Sequence, residues 1–168
     1  MVKYSKQLNE TDCGPMAVLN TLKWAGYKVS TKRGYKSIKR SCEWSPGTGT
    51  WVSDVVRTLR KYSKLKTRVL VRPSMKDLDS LLDKGYVFIL RYTHDDGSGG
   101  HFSLCIGKSD KKFFFINDSS IKTDRARLRK TVNCYLRKIY RKEGWYAPAR
   151  VICVKKTKNN PTFPFKNI

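Results

Sequence analysis

Apolar residues recur at two periods along this chain, and the change of period divides it. From Cys13 to Ala25 the spacing is helical: Met16, Leu19, Leu22 and Trp24 are apolar, with Ala17 and Val18 between them. Thr11 or Asp12 stands where an N-cap is expected, Pro15 is tolerated in a first turn, and Gly26 is a stop signal. Residues 28–44 are basic and weakly helical, with Tyr35, Ile38 and Cys42 on one face. The Pro- and Gly-containing stretch Ser45–Thr50 reads as a loop, with Thr50 as cap. A helix is expected over 51–62, where Trp51, Val52, Val55, Val56, Leu59 and Tyr62 form a stripe.

Beyond this the period shortens towards 2. Residues 67–71 read as a strand, and Ser74 caps a short helix over 75–84 that Gly85 stops. The run Tyr86–Tyr92 is almost continuously apolar, as suits a central strand covered on both faces. Strands over 101–107 and 112–117 flank a turn at 109–111 and form a hairpin. Asp124 is placed to cap a long helix over 125–142, with Leu128, Val132, Tyr135, Leu136, Ile139 and Tyr140 as its buried face. A last strand covers 150–155. The layout is α+β, an N-terminal helical half packed on a mostly antiparallel sheet. One domain over 1–156 is expected, followed by a polar tail over 157–168 that holds Phe163 and Phe165.

Composition narrows the class. The 168 residues suffice for one hydrophobic core. No apolar run reaches the length of a membrane span, and the N-terminus lacks the apolar centre of a signal peptide. An intracellular, cytoplasmic protein is expected, or one carried in a virion or phage assembled there. Five cysteines, with no Cys-x-x-Cys, and only two histidines fit neither a complete disulfide framework nor a zinc site. No metal and no cofactor is expected. The charge is unusual: 36 Lys plus Arg against 13 Asp plus Glu give +23. Such a field attracts polyanions, whether nucleic acid or an acidic protein. The basic residues of the expected long helix, Arg125, Arg127, Arg129, Lys130, Arg137, Lys138 and Arg141, are the candidate polyanion surface, with a solvated helix face as the plainer explanation.

The candidate chemistry centres on Cys13. A thiol at a helix N-terminus sits where the dipole and spare N–H groups favour the thiolate. His101 opens a strand after two glycines and serves as its base. Asp118, at the end of the partner strand, can hold the imidazole. Gln7, six residues before Cys13, can donate its amide N–H to a developing oxyanion together with the Cys13 N–H. Gly14, Gly99, Gly100 and Phe102 flank these groups and are the candidate substrate contacts. His94 lies in a polar loop and reads as solvated. Cys42, Cys134 and Cys153 fall on apolar faces and read as structural, and Cys105 as a core or cleft-wall residue. Together these parts suit acyl transfer through a thiol.

Gln7, Asp12-Cys13-Gly14, His101-Phe102 and Asp118 occur in the order and spacing of a known family. The chain resembles papain-like cysteine peptidases, most closely the bacteriocin-processing peptidases that remove double-glycine leaders. The likeness runs from about Tyr4 to Asp118 and includes 48–62 and 75–90. It implies a thiol peptidase acting on a protein or peptide through Cys13, His101 and Asp118, with Gln7 in the oxyanion hole. Ser119 stands where that family usually has Pro. The membrane and ATPase domains often fused to such peptidases are lacking, so an export transporter is not expected. Two competing functions use the same residues differently. One is another thiol acyl transfer (deamidase, transglutaminase-like or de-conjugating). The other is a papain-like scaffold whose basic surface binds nucleic acid or an acidic partner.

Overall fold

The computed structural model describes residues 2–7, 9, 11–29, 32–45, 49–93, 100–117, 124–137, 139–142 and 145–156, with the backbone alone for 139–142 and 145–147. Three helices come first: α1 (Cys13–Trp24), α2 (Arg33–Ser41) and α3 (Val52–Tyr62). Then follow β1 (Lys66–Val71), α4 (Met75–Asp83), β2 (Tyr86–Thr93), β3 (Gly100–Lys108), β4 (Lys112–Ile116), β5 (Arg125–Leu128), α5 (Arg129–Arg137), β6 (Ile139–Lys142), β7 (Trp145–Pro148) and β8 (Arg150–Lys155). Six strands form one antiparallel sheet in the order β1-β8-β2-β3-β4-β5, and β6 and β7 pair separately.

The strand alternation sorts the core into two layers. Val87 and Ile89 of β2, Phe102 and Leu104 of β3, and Ile152 and Val154 of β8 join α1, α2 and α3 on one face. Phe88, Leu90 and Tyr92, with Cys105, Phe113, Phe115, Val151 and Cys153, meet α4 and α5 on the other. β2 is therefore covered on both sides, which is why its sequence hardly alternates. Helix α1 is buried from Cys13 to Leu22. Each fully buried Leu such as Leu19 or Leu22 contributes about 1.5–3 kcal/mol. This packing fixes the position of the first turn of α1.

Local signals end several elements as expected. Gly26 and Gly85 follow α1 and α4 with φ of +94° and +73°, values that favour glycine. Ser74 Oγ accepts from the Asp77 N–H while the Asp77 carboxylate accepts from the Ser74 N–H and hydroxyl, a capping box. Thr50 does not cap α3; the helix starts one residue later, with Trp51 at the cap and its N–H donating to Asp54 Oδ2 at 3.4 Å.

The long helix expected over 125–142 is three elements instead. Residues 125–128 pair with 112–115 as β5, only 129–137 are helical, and 139–142 form β6. Strand pairing wins because β4 would otherwise expose a full row of unpaired N–H and C=O groups. Val132, Tyr135 and Leu136 are buried as expected, but Leu128 is 43% exposed. Asp124 caps no helix; its Oδ1 accepts from the Asn117 N–H at 3.1 Å. The C-terminal tail lies outside the described residues.

Candidate active site

The head of α1 carries Cys13, which is 6% exposed and packs in the core shared with Phe102. Backbone hydrogen bonding with Phe102 and Gly14 favours the thiolate, but burial outweighs it and, with the Asp12 charge, pushes the thiol pKa up. The helix N-terminus alone therefore does not lower the thiol pKa, contrary to the sequence expectation, because desolvation disfavours the charged form more strongly. Gly14 follows at the closest approach of α1 to Thr50. A Cβ there would lie 2.8 Å from the Thr50 Cβ, so that face of Gly14 is occupied by protein.

Asp12 sits at the N-cap position of α1, yet its side chain makes no capping hydrogen bond. Its carboxylate is 1% exposed and pairs with Lys39, Nζ to Oδ1 2.9 Å. The same ammonium lies 3.1 Å from the Trp44 ring centroid, and Trp44 Nε1 donates to the Thr11 carbonyl at 2.9 Å. Burial and Asp12 push the Tyr35 hydroxyl pKa far up. A cation and an indole thus hold the residues that lead into Cys13.

His101 is 1% exposed, and its ring centroid lies 5.5 Å from that of Tyr92. Its Nε2 is 2.7 Å from the main-chain oxygen of Asn117. A carbonyl oxygen only accepts, so Nε2 carries the proton and a neutral ring keeps its lone pair on Nδ1. The neighbouring residue, Phe102, turns its ring into the core and approaches the Cys13 thiol through its backbone. Gly100 lies under the Arg91 guanidinium, where a Cβ would come within 2.6 Å of Nη2. Farther along β3, a bulge between Cys105 and Gly107 breaks the alternation.

Gln7 is fully buried, and its Nε2 donates one hydrogen to the Asn9 carbonyl at 2.6 Å. The segment that carries it is tied down twice. Ser5 exchanges two bonds with the Asn20 side chain on α1, at 2.8 and 2.9 Å. Asn117 then bonds both Ser5 and Gln7. Asn117 thus links the Gln7 segment to His101, while the Phe102 backbone approaches the Cys13 thiol. Asp118, Gly99 and His94 lie outside the described residues. Sequence reasoning missed Asn117, Lys39 and Arg91. Only Asn117 carried a signal: asparagine is among the residues that best tolerate positive φ, and here φ is +51°.

The described members of the expected polyanion set lie on the consecutive elements β5 and α5. Arg129 is bound to both oxygens of Asp79 and lies 5.0 Å from the Phe113 ring centroid, so it fastens α5 to α4. Arg125 and Arg127 are on β5, with Arg127 5.7 Å from the Tyr135 ring centroid. Lys130 is exposed. Arg137 lines an open cleft of about 590 Å³ with Arg72 and Lys76, and no candidate catalytic residue lines it. Lys138 and the Arg141 side chain lie outside the described residues. Cys134, expected on an apolar face, is exposed, whereas Cys42, Cys105 and Cys153 are buried. Burial pushes the Cys42 thiol up to about 12. Among the described residues no cluster of His, Cys, Asp or Glu suits a metal ion, and no helix is long and apolar enough to cross a membrane.

A buried helix headed by a thiol, packed on an antiparallel sheet that carries a buried histidine, defines a cysteine peptidase of papain-like fold. The chain belongs to the Peptidase_C39-like family, whose model matches residues 1–147. No curated protein matches its sequence. Among solved structures it is similar to the peptidase domain of Streptococcus ComA, a bifunctional ABC transporter of a quorum-sensing pathway. There the TM-score is 0.69 at 15% identity, over 93% of this chain and all of that one. It is also similar to a double-glycine-motif protease from an AMS/PCAT transporter, solved with the leader peptide. In that case the TM-score is 0.62 at 15% identity, over 93% of each chain.

Proposed function

We propose that this cysteine peptidase cleaves a peptide bond following a pair of glycines, with Cys13 as nucleophile, His101 as base and Gln7 as oxyanion donor. The supporting observation is the His101 hydrogen bond to the Asn117 carbonyl, which leaves Nδ1 as the basic nitrogen beside Phe102, whose backbone meets the Cys13 thiol. The thiol proton passes to Nδ1 as sulfur attacks the scissile carbonyl. The oxyanion takes hydrogen bonds from Gln7 Nε2 and the Cys13 N–H. The C–N bond then breaks, the imidazolium returns the proton to the leaving amine, and water hydrolyses the thioester.

Asp118 supports the imidazolium from the residue after Asn117. The glycines that precede His101 in the sequence, Gly99 and Gly100, are the assigned substrate contacts, and glycines at the cleavage site would suit so enclosed a centre. The +23 charge draws acidic peptides towards the enzyme. Five free thiols support a reducing, intracellular setting.

The test incubates wild type and Cys13→Ala with a peptide carrying one internal Gly-Gly pair and reads the products by mass spectrometry. Cleavage after the second glycine by wild type alone is expected. Deamidation or amine exchange in place of hydrolysis would move the assignment to another thiol acyl transfer. Equal products from both proteins would remove the nucleophile.

A further inference from the structure

We propose that Asn117 is a positioning residue that couples Gln7 to His101, an inference that rests on the catalytic roles assigned above. Asn117 is 4% exposed, and all four of its polar groups have partners. Its N–H donates to Asp124 Oδ1 at 3.1 Å, and its carbonyl accepts from His101 Nε2 at 2.7 Å. Its Oδ1 accepts from the Gln7 N–H at 3.3 Å, and its Nδ2 donates to the Ser5 carbonyl at 2.7 Å.

The work divides cleanly. The main chain of Asn117 holds the base, and its side chain holds the segment that carries the oxyanion donor. The φ of +51° lets the two halves serve both partners at once. Asparagine suits the position because it tolerates left-handed backbone and offers an acceptor and a donor in one rigid amide. A displacement of either catalytic group is passed to the other through this one residue, so oxyanion hole and base are set together.

Two substitutions separate the halves. Asn117→Gly keeps the left-handed backbone and the carbonyl acceptor but deletes both side-chain bonds. Asn117→Ala deletes the same bonds and also disfavours the backbone conformation. Three readouts are compared: hydrogen exchange of the Gln7 amide, the pH profile of Cys13 alkylation by iodoacetamide, and turnover of a Gly-Gly-aminomethylcoumarin peptide.

For Asn117→Gly, Gln7 exchange is expected to quicken about tenfold. Turnover should fall roughly tenfold to a hundredfold in kcat, with KM within about twofold and an unchanged alkylation profile. Asn117→Ala should shift that profile as well. Unchanged Gln7 exchange in Asn117→Gly overturns the coupling. A parallel loss of alkylation in Asn117→Gly also overturns it, because damage then reaches the base without the main-chain change. Exchange and alkylation need no substrate, so they decide even if the peptide is left intact. Failure of the catalytic roles themselves has a different signature: turnover by Cys13→Ala at the wild-type rate.

Discussion

Lys39 Nζ lies 2.9 Å from the buried Asp12 carboxylate, one residue before Cys13. The Asp12 charge acts on the thiol in the same direction as burial, raising its pKa. Lys39 opposes that charge from a position where its side chain is still 24% exposed. The ion pair therefore bears on reactivity as well as on folding.

Lys39→Met leaves a buried carboxylate without its cation. The Cys13 thiol pKa should rise further, so alkylation at fixed near-neutral pH should slow and its pH profile should move upwards. Stability should fall by about 1–2 kcal/mol, below the usual cost of breaking a fully buried pair because Lys39 is partly solvated. Lys39→Arg should retain most of both. An alkylation profile identical to wild type in Lys39→Met would count against this role.

Gly14→Ala places a methyl group 2.8 Å from the Thr50 Cβ at the head of α1. The helix end or the Thr50 loop must give way, at a cost of about 1–3 kcal/mol of unfolding free energy, measured by urea titration. Cys13 alkylation should change with it, since the displaced turn carries the thiol. Thr50→Gly in the Gly14→Ala background should restore much of the loss. A Gly14→Ala protein as stable as wild type would show that the contact relaxes freely.

Asp79 joins α4 to α5 through Arg129 and to β3 through Lys108. Hydrogen bonding from Arg129 holds the Asp79 carboxyl below its ordinary pKa. A depressed folded-state pKa gives stability that is fully present above the unfolded value, about 3.9, and is lost as pH falls through the folded value. Asp79→Asn should therefore be less stable at pH 7 by about 1 kcal/mol, a figure discounted for partial exposure. The difference should shrink towards zero as acid protonates the wild-type group. Urea midpoints measured for both proteins from neutral pH to about pH 2 check it, and a gap that stays constant would refute the linkage.

Much of the architecture was legible in the chain itself. The spacing of Met16, Leu19 and Leu22 marks a buried helix, and Arg150–Lys155 is a strand with the limits its pattern suggests. Cys13 at the head of α1 and His101 near the start of β3 follow from the same local signals. The segment 125–142 misled because its apolar residues fit a helical stripe while its first four residues had a stronger claim as partners of β4. Asp12 and Asp124 both looked like helix caps. Each instead serves a distant group: Asp12 pairs with Lys39, and Asp124 receives the Asn117 N–H.

What the sequence determined by itself is which faces are apolar and where helices and strands begin, because periodicity and capping are read over a few neighbouring residues. Only the tertiary structure decided that Asn117 joins Gln7 to His101, that Arg129 serves Asp79, and that burial raises the Cys13 thiol pKa. Those outcomes depend on which polar groups meet across large sequence separations and on how much water remains around them. Both are products of the whole packed chain.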